Sequence, residues 1–153
     1  MGGDLPAKPG AVQAPTFAVW AVKDPNGANL DRIQVVKGWV DVRGQTHEKI
    51  FDVAWSDGRT RRADGTLPPI ASHVDVARAR NDLAAGAAEL TAFWRDPEFD
   101  RTRGAFYYVR VIQAPTLRHH VYDAVALGID PSTLAFPATI QERAWSSPVW
   151  YRP

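Results

Sequence analysis

The sequence predicts a mainly β fold: an antiparallel β-sandwich-like domain with long loops and one or two short helices. Three observations predict it. Proline and glycine, twelve and eleven of 153 residues, cut the chain into short apolar segments that are too brief for packed helices. One run, HEKIFDVAW at residues 47–55, alternates cleanly, with Lys49, Phe51, Val53 and Trp55 on one face and Glu48, Ile50, Asp52 and Ala54 on the other. Another, AFYYVRVIQ at residues 105–113, concentrates the aromatic and β-branched residues that favour strands.

The elements follow in order. Residues 1–15 hold three prolines and three glycines and read as an extended lead-in, with residues 16–153 as one domain. TFAVWAV at residues 16–22 is apolar on both alternating faces, so it is expected to be a central strand covered on each side. DPNG at 24–27 has the residues of a tight turn. Residues 33–42 and 47–55 form a hairpin, and the first slips phase near Lys37 and Gly38, where a bulge is expected. The loop from Ser56 to Ser72 is long enough to be either functional or mobile. HVDVA at 73–77 reads as a short strand, residues 80–84 as a helical turn, and residues 87–94 as a strand after Gly86. HHVYDAVALG fits a short helix stopped by Gly128. The final ERAWSSPVWYRP is extended and broken by Pro148. Five to seven strands result. Most of the six tryptophans lie among apolar neighbours and read as core.

Composition narrows the function. A net charge of +1 lacks the surplus of cations that nucleic-acid binding demands. The basic cluster GRTRRADG at residues 58–65 sits among Gly and Asp and reads as a solvated loop. With no cysteine, disulfides, thiolate metal sites and thiol nucleophiles are excluded. No apolar run approaches the roughly 20 residues of a membrane helix. The first residues lack the basic-then-apolar pattern of an export signal.

The polar motifs each admit a plain reading. In PTLRHHVYDA, residues 115–124, His119 and His120 would point about 100° apart on a helix. A metal site built from His119, His120 and Asp123 would need a third histidine from far away, His47 or His73. The plain reading is a helix start, with Asp123 pairing with Arg118 or capping. DPEFD at residues 96–100 resembles the opening of a calcium loop, but Arg101 and Tyr107 occupy the positions that need Gly and Glu. It reads as a turn between strands. Ser146 and Ser147 beside tryptophans lack a visible base.

Several phrases together resemble one bacterial family. They are GGDLP at 2–6, PTFAVWAVKDPNGANLDRIQVVKGWVD at 15–41, GAAEL at 86–90, RDPEFD at 95–100, AFYYVRV at 105–111 and TIQERAWSSPVWY at 139–151. The chain is similar, nearly end to end, to the C-terminal part of the family called domain of unknown function 3604. That resemblance implies a longer parent whose N-terminal part resembles the polymerase-and-histidinol-phosphatase (PHP) superfamily of metal-dependent phosphoesterases. It implies that the divalent metal and its ligands belong to that upstream part, with no cofactor in this chain. It implies relatives that are often exported. GGDLP usually follows an internal methionine in the family, so Met1 is expected to be internal to a longer protein and the sandwich to be incomplete.

Against the family pattern, Arg118, Tyr122 and Asp123 match while His119 stands where Trp is usual, which argues against metal binding by His119. Arg118, Asp123, Gln141, Glu142 and Arg143 carry the matching polar pattern and are expected to form a structural cluster, with Arg118–Asp123 or Glu142–Arg143 ion pairs. The leading expectation is a structural or interface domain with the PHP-like domain as partner and a tendency to self-associate. The alternative is a carbohydrate- or small-ligand-binding module that uses Trp145 and Trp150, if both are exposed. A free-standing hydrolase using His119, His120 and Asp123 would require those side chains to converge.

Overall fold

A computed structural model of the chain describes residues 2–5, 14–71, 74–81 and 83–153. Among the described residues the strands are β1 (Gly3–Leu5), β2 (Thr16–Val22), β3 (Leu30–Val40), β4 (Thr46–Trp55), β5 (Glu89–Arg95), β6 (Ala105–Gln113), β7 (Thr116–Leu117), β8 (Thr139–Ile140), β9 (Arg143–Trp145) and β10 (Val149–Tyr151). Helix α1 spans His119–Ala126, and a 3-10 turn covers Pro131–Thr133. The fold is mainly β and sandwich-like, as the sequence predicts. The main sheet runs β1-β10-β6-β3-β4, with β9 beside a further stretch of β6. Antiparallel β2 and β5 form the second layer, and β7 pairs with β8.

Strand β3 is the centre of the main sheet. It is bonded to β4 on one side and β6 on the other, and its residues are buried almost throughout. The pairing runs unbroken through Lys37 and Gly38; the register shifts instead between Ile33 and Gln34. The phase slip seen at Gly38 in the sequence is therefore not a bulge. Phe106, opposite Gly38, lays its ring where a Cβ would stand, and glycine is the residue that leaves that room. Gly38→Ala is expected to cost about 1–3 kcal/mol in urea unfolding as the ring is pushed aside. The cost should vanish when Phe106 is alanine; an undiminished cost in that background would show that the ring is not what Gly38 accommodates.

The inner face of the main sheet carries the core. Val35, Ala105, Tyr107 and Tyr151 form its buried centre, with Phe17, Trp39, Val53, Trp94 and Phe99 packed against it. Phe17 joins the layers, its ring centroid 5.0 Å from that of Tyr107 and 6.0 Å from that of Trp94. Phe51 meets Trp94 at 4.9 Å from the facing sheet. The hairpin face of Phe51 and Val53 is thus inward, as the alternation predicts.

Strand β2 differs from the expectation. It is not central: its one strand partner is β5, and only Phe17, Val19 and Ala21 turn inward. Its second apolar face is left outside, with Trp20 71 % and Val22 60 % exposed beside Phe93 at 80 %. The tryptophans divide likewise. Trp39, Trp55 and Trp94 are half-buried, whereas Trp20, Trp145 and Trp150 are exposed.

Three further expectations need correction. The lead-in is not merely extended, because Gly3–Leu5 pairs in parallel with β10. The loop after β4 is exposed along most of residues 58–65, as a solvated basic stretch should be, but Arg59 turns inward and ties it down. The Arg59 guanidinium bonds Asp31 Oδ1 at 2.5 Å, the Asp31 carbonyl at 2.7 Å, the Pro68 carbonyl at 3.0 Å and the Ser56 carbonyl at 3.1 Å. Arg61 covers the Trp55 ring at 4.8 Å, and Leu67 and Ile70 are buried. A guanidinium fork satisfies several acceptors at once, which composition alone does not reveal. Finally, residues 74–81 hold a turn closed by an Asp75–Arg80 bridge rather than a strand or helix; Ser72, His73 and Asp82 lie outside the described residues. DPEFD is a turn between strands, as expected, but Asp96 enters the core. Helix α1 is where the sequence puts it, and Gly128 follows with φ of 70°.

Candidate functional site

Polar side chains gather in two internal networks and on one outer face. In the first network Lys37 Nζ lies 2.6 Å from Asp96 Oδ2 and 2.8 Å from the Glu98 carbonyl, and the Tyr107 hydroxyl donates to Asp96 Oδ2 at 2.8 Å. All three side chains are buried. Burial, and then the Asp96 carboxylate, push the Tyr107 phenol well above its usual range, so it stays protonated and donates. In the second, buried Asp31 receives Arg59, Arg32 Nε at 3.2 Å and Gln141 Nε2 at 3.1 Å. Sequence reasoning missed both networks. The one signal was a charge placed inside an apolar strand run, Asp31 before Ile33 and Lys37 among valines.

The expected site residues are only partly brought together. Arg118, Gln141, Glu142, Arg143 and Trp145 line one open pocket of about 560 Å³ with Pro115 and Pro137. Among the described residues, neither Arg118–Asp123 nor Glu142–Arg143 forms an ion pair. Arg118 Nε donates to the Thr139 carbonyl at 3.2 Å, and Asp123 meets His119 at 3.7 Å on the exposed side of α1. Glu142 and Arg143 make no ion pair among the described residues. Adjacent strand residues project to opposite faces, so neighbours in sequence need not meet. His119 is solvent-facing, while His120 turns toward Phe136 and its buried Nε2 has no hydrogen-bond partner among the described residues. His119, His120 and Asp123 therefore do not converge, and His47 is engaged elsewhere, with Asp41 at 2.9 Å. Ser146 is also structural: its N–H donates to the Val109 carbonyl at 3.0 Å, and its Oγ accepts from the Val109 N–H at 2.9 Å.

Trp145 and Trp150 lie on the outer face of the main sheet. Trp145 stands opposite Arg110 and Trp150 opposite Phe106, and opposed residues share a face. Trp150 contacts the Phe106 ring at 5.2 Å, and Phe106 stacks on Tyr108 at 6.4 Å with planes 8° apart. The two tryptophans are 60 % and 43 % exposed. Their partners are four residues apart on β6, about 13 Å at strand rise.

A third feature is an open groove of about 980 Å³ between β2 and the β6–β9 edge, with Val109, Val111 and Ala144 on its floor. Lys23 N donates to Ala88 O, and Asp96 N to Pro15 O, so odd-numbered β2 residues face β5. The main-chain groups of Ala18, Trp20 and Val22 point the other way and have no hydrogen-bond partner among the described residues.

Together these features define an open, mainly β domain whose inner sheet is only partly covered. A family model described as protein of unknown function (DUF3604) matches residues 1–153. The chain belongs to that family. No curated protein and no solved structure matches it. Among the described residues no helix is long and apolar enough to cross a membrane.

Proposed function

We propose that this chain is a structural and interface domain from the C-terminal part of a longer, PHP-like metal-dependent hydrolase, and that it has no catalytic centre of its own. One observation carries the reading. The β2–β5 layer turns Trp20, Val22 and Phe93 outward and leaves an edge, unpaired among the described residues, over a groove with an apolar floor. A lone domain normally blunts such an edge with charge or proline, and Thr16–Val22 has neither. The uncovered face suits a neighbouring domain, and the divalent metal of the hydrolase would be held by that neighbour. Two measurements test this. The chain alone should show no turnover across a phosphodiester panel under divalent-metal titration; robust metal-dependent turnover would overturn the proposal. In sedimentation the chain should self-associate as concentration rises, and Trp20→Ser with Phe93→Ser should suppress it. A concentration-independent monomer would argue that this face needs no cover.

The exposed outer-face tryptophans favour a second reading, a module that binds a sugar-like ligand. Aromatic rings on one exposed strip offer flat apolar surface to the faces of sugar rings. Trp150→Ala should then weaken oligosaccharide binding without changing the melting temperature.

A further inference from the structure

The ligand-binding reading sharpens when the charges along the strip are followed. Arg110 lies on the same outer face as Tyr108 and Trp145 and donates through Nε to Gln34 Oε1 at 2.8 Å. Its terminal amino groups have no hydrogen-bond or ion-pair partner among the described residues. Arg143 stands opposite Ile112, on the same face as Arg110 and diagonal to it, and its guanidinium is likewise unpaired. Asp52, a carboxylate on this face opposite Gln34, is already engaged by Gln34 at 2.7 Å, Arg32 at 3.6 Å and Arg61 at 3.8 Å. Two guanidinium groups thus flank an exposed indole at one end of an aromatic strip, Arg110 with only its Nε engaged and Arg143 with no hydrogen-bond or ion-pair partner among the described residues. Elsewhere in the chain buried arginines find carboxylates, as Arg59 and Arg32 do with Asp31.

We infer that this face binds an acidic oligosaccharide, with Trp145 stacking on a sugar ring and Arg110 and Arg143 taking a carboxylate of a uronic-acid residue. The inference rests on the ligand-binding reading and names its substrate class. Guanidinium groups match a carboxylate by paired N–H donors, and the fit is geometric as well as electrostatic. The remaining rings, Tyr108, Phe106 and Trp150, extend the surface by about 13 Å, enough for neighbouring sugar rings in an extended chain.

The test is calorimetric titration of the full chain with trigalacturonate and with the neutral galactotriose, on the wild type, Arg143→Gln, Trp145→Ala and Trp150→Ala. Both Arg143 and Trp145 are exposed, so unchanged circular dichroism will confirm that the variants fold. The acidic trisaccharide should bind about tenfold tighter than the neutral one, and Arg143→Gln should remove most of that preference. Trp145→Ala should weaken both sugars about tenfold. Equal binding of the two sugars would overturn the acidic class while leaving the aromatic platform standing. Binding of the acidic sugar that ignores both tryptophan changes and is competed by dextran sulfate would be charge attraction alone, and would overturn both. No binding of either sugar would also overturn both.

Discussion

Asp96→Ala is expected to cost about 3–5 kcal/mol, because it leaves a buried ammonium without its counter-ion. Lys37 keeps only the Glu98 carbonyl as a close acceptor, and the Tyr107 hydroxyl loses its acceptor as well. Asp96 Oδ1 also receives the Glu98 N–H at 2.9 Å, so the turn before β6 loosens at the same time. Against a total of about 5–15 kcal/mol for a domain, the variant should be mostly unfolded in mild urea. The pair Lys37→Met with Asp96→Leu distinguishes an orphaned charge from lost packing. Removing both charges should recover much of the loss, since buried ion pairs are often replaceable by apolar groups. A single Asp96→Ala variant as stable as the wild type would show that water reaches Lys37 and that the network is not sealed.

Arg59→Ala is expected to cost about 3 kcal/mol, at the low end for breaking a buried pair, because Arg32 and Gln141 still face Asp31. Its second effect is local. Without the guanidinium, the Pro68 carbonyl keeps only the longer bond from Arg32 Nη2 at 3.5 Å, and the Ser56 carbonyl loses the bond from Arg59 Nε. Amide hydrogen exchange should rise across residues 57–70 more than in β3 or β6. Arg59→Lys keeps the charge but not the fork, so it should restore only part of the stability. Uniform exchange changes across the whole chain would mean that the loop and the sheet unfold as one unit.

Much of the fold was legible because it depends on local pattern. The alternation of Phe51 and Val53, the aromatic density of β6 and the glycine after α1 each state a conformation within a few residues. What was not legible depended on partners far along the chain. Strand β2 looks central because its two faces are apolar, yet burial is decided by whether another layer arrives, and for Trp20 none does. Gly38 looks like a bulge until Phe106, 68 positions later, is seen lying over it. Arg59 looks like one more solvated cation until Asp31 is placed beside it. The candidate site shows the same division. Gln141, Glu142 and Arg143 are consecutive and match the family's polar pattern, so the sequence groups them; Arg118 joins them through the β7–β8 pairing, and Trp145, expected only as a stacking aromatic, lines the same pocket. Asp123 was assigned to the group and does not belong to it, since one turn of helix carries it to the solvent side with His119. Arg110 was overlooked because it sits in a strand chosen for its apolar neighbours.

The parallel pairing of β1 with β10 has a consequence in time. Gly3 lies beside Val149 and Leu5 beside Tyr151, so one edge of the main sheet is assembled from segments far apart in the sequence. Strand β10 in turn rests on β6, and Tyr151 is part of the core. A growing chain can form the β3–β4 hairpin early, from neighbours in sequence. It cannot seal that edge until residues 149–151 have been synthesised. Contacts at such separation are the slow ones to find, and folding should show a late phase that loosening this edge affects selectively. Trimming residues 149–153 should therefore leave a hairpin-containing intermediate, with Ala105 and Tyr107 unprotected, rather than a slightly weakened native state.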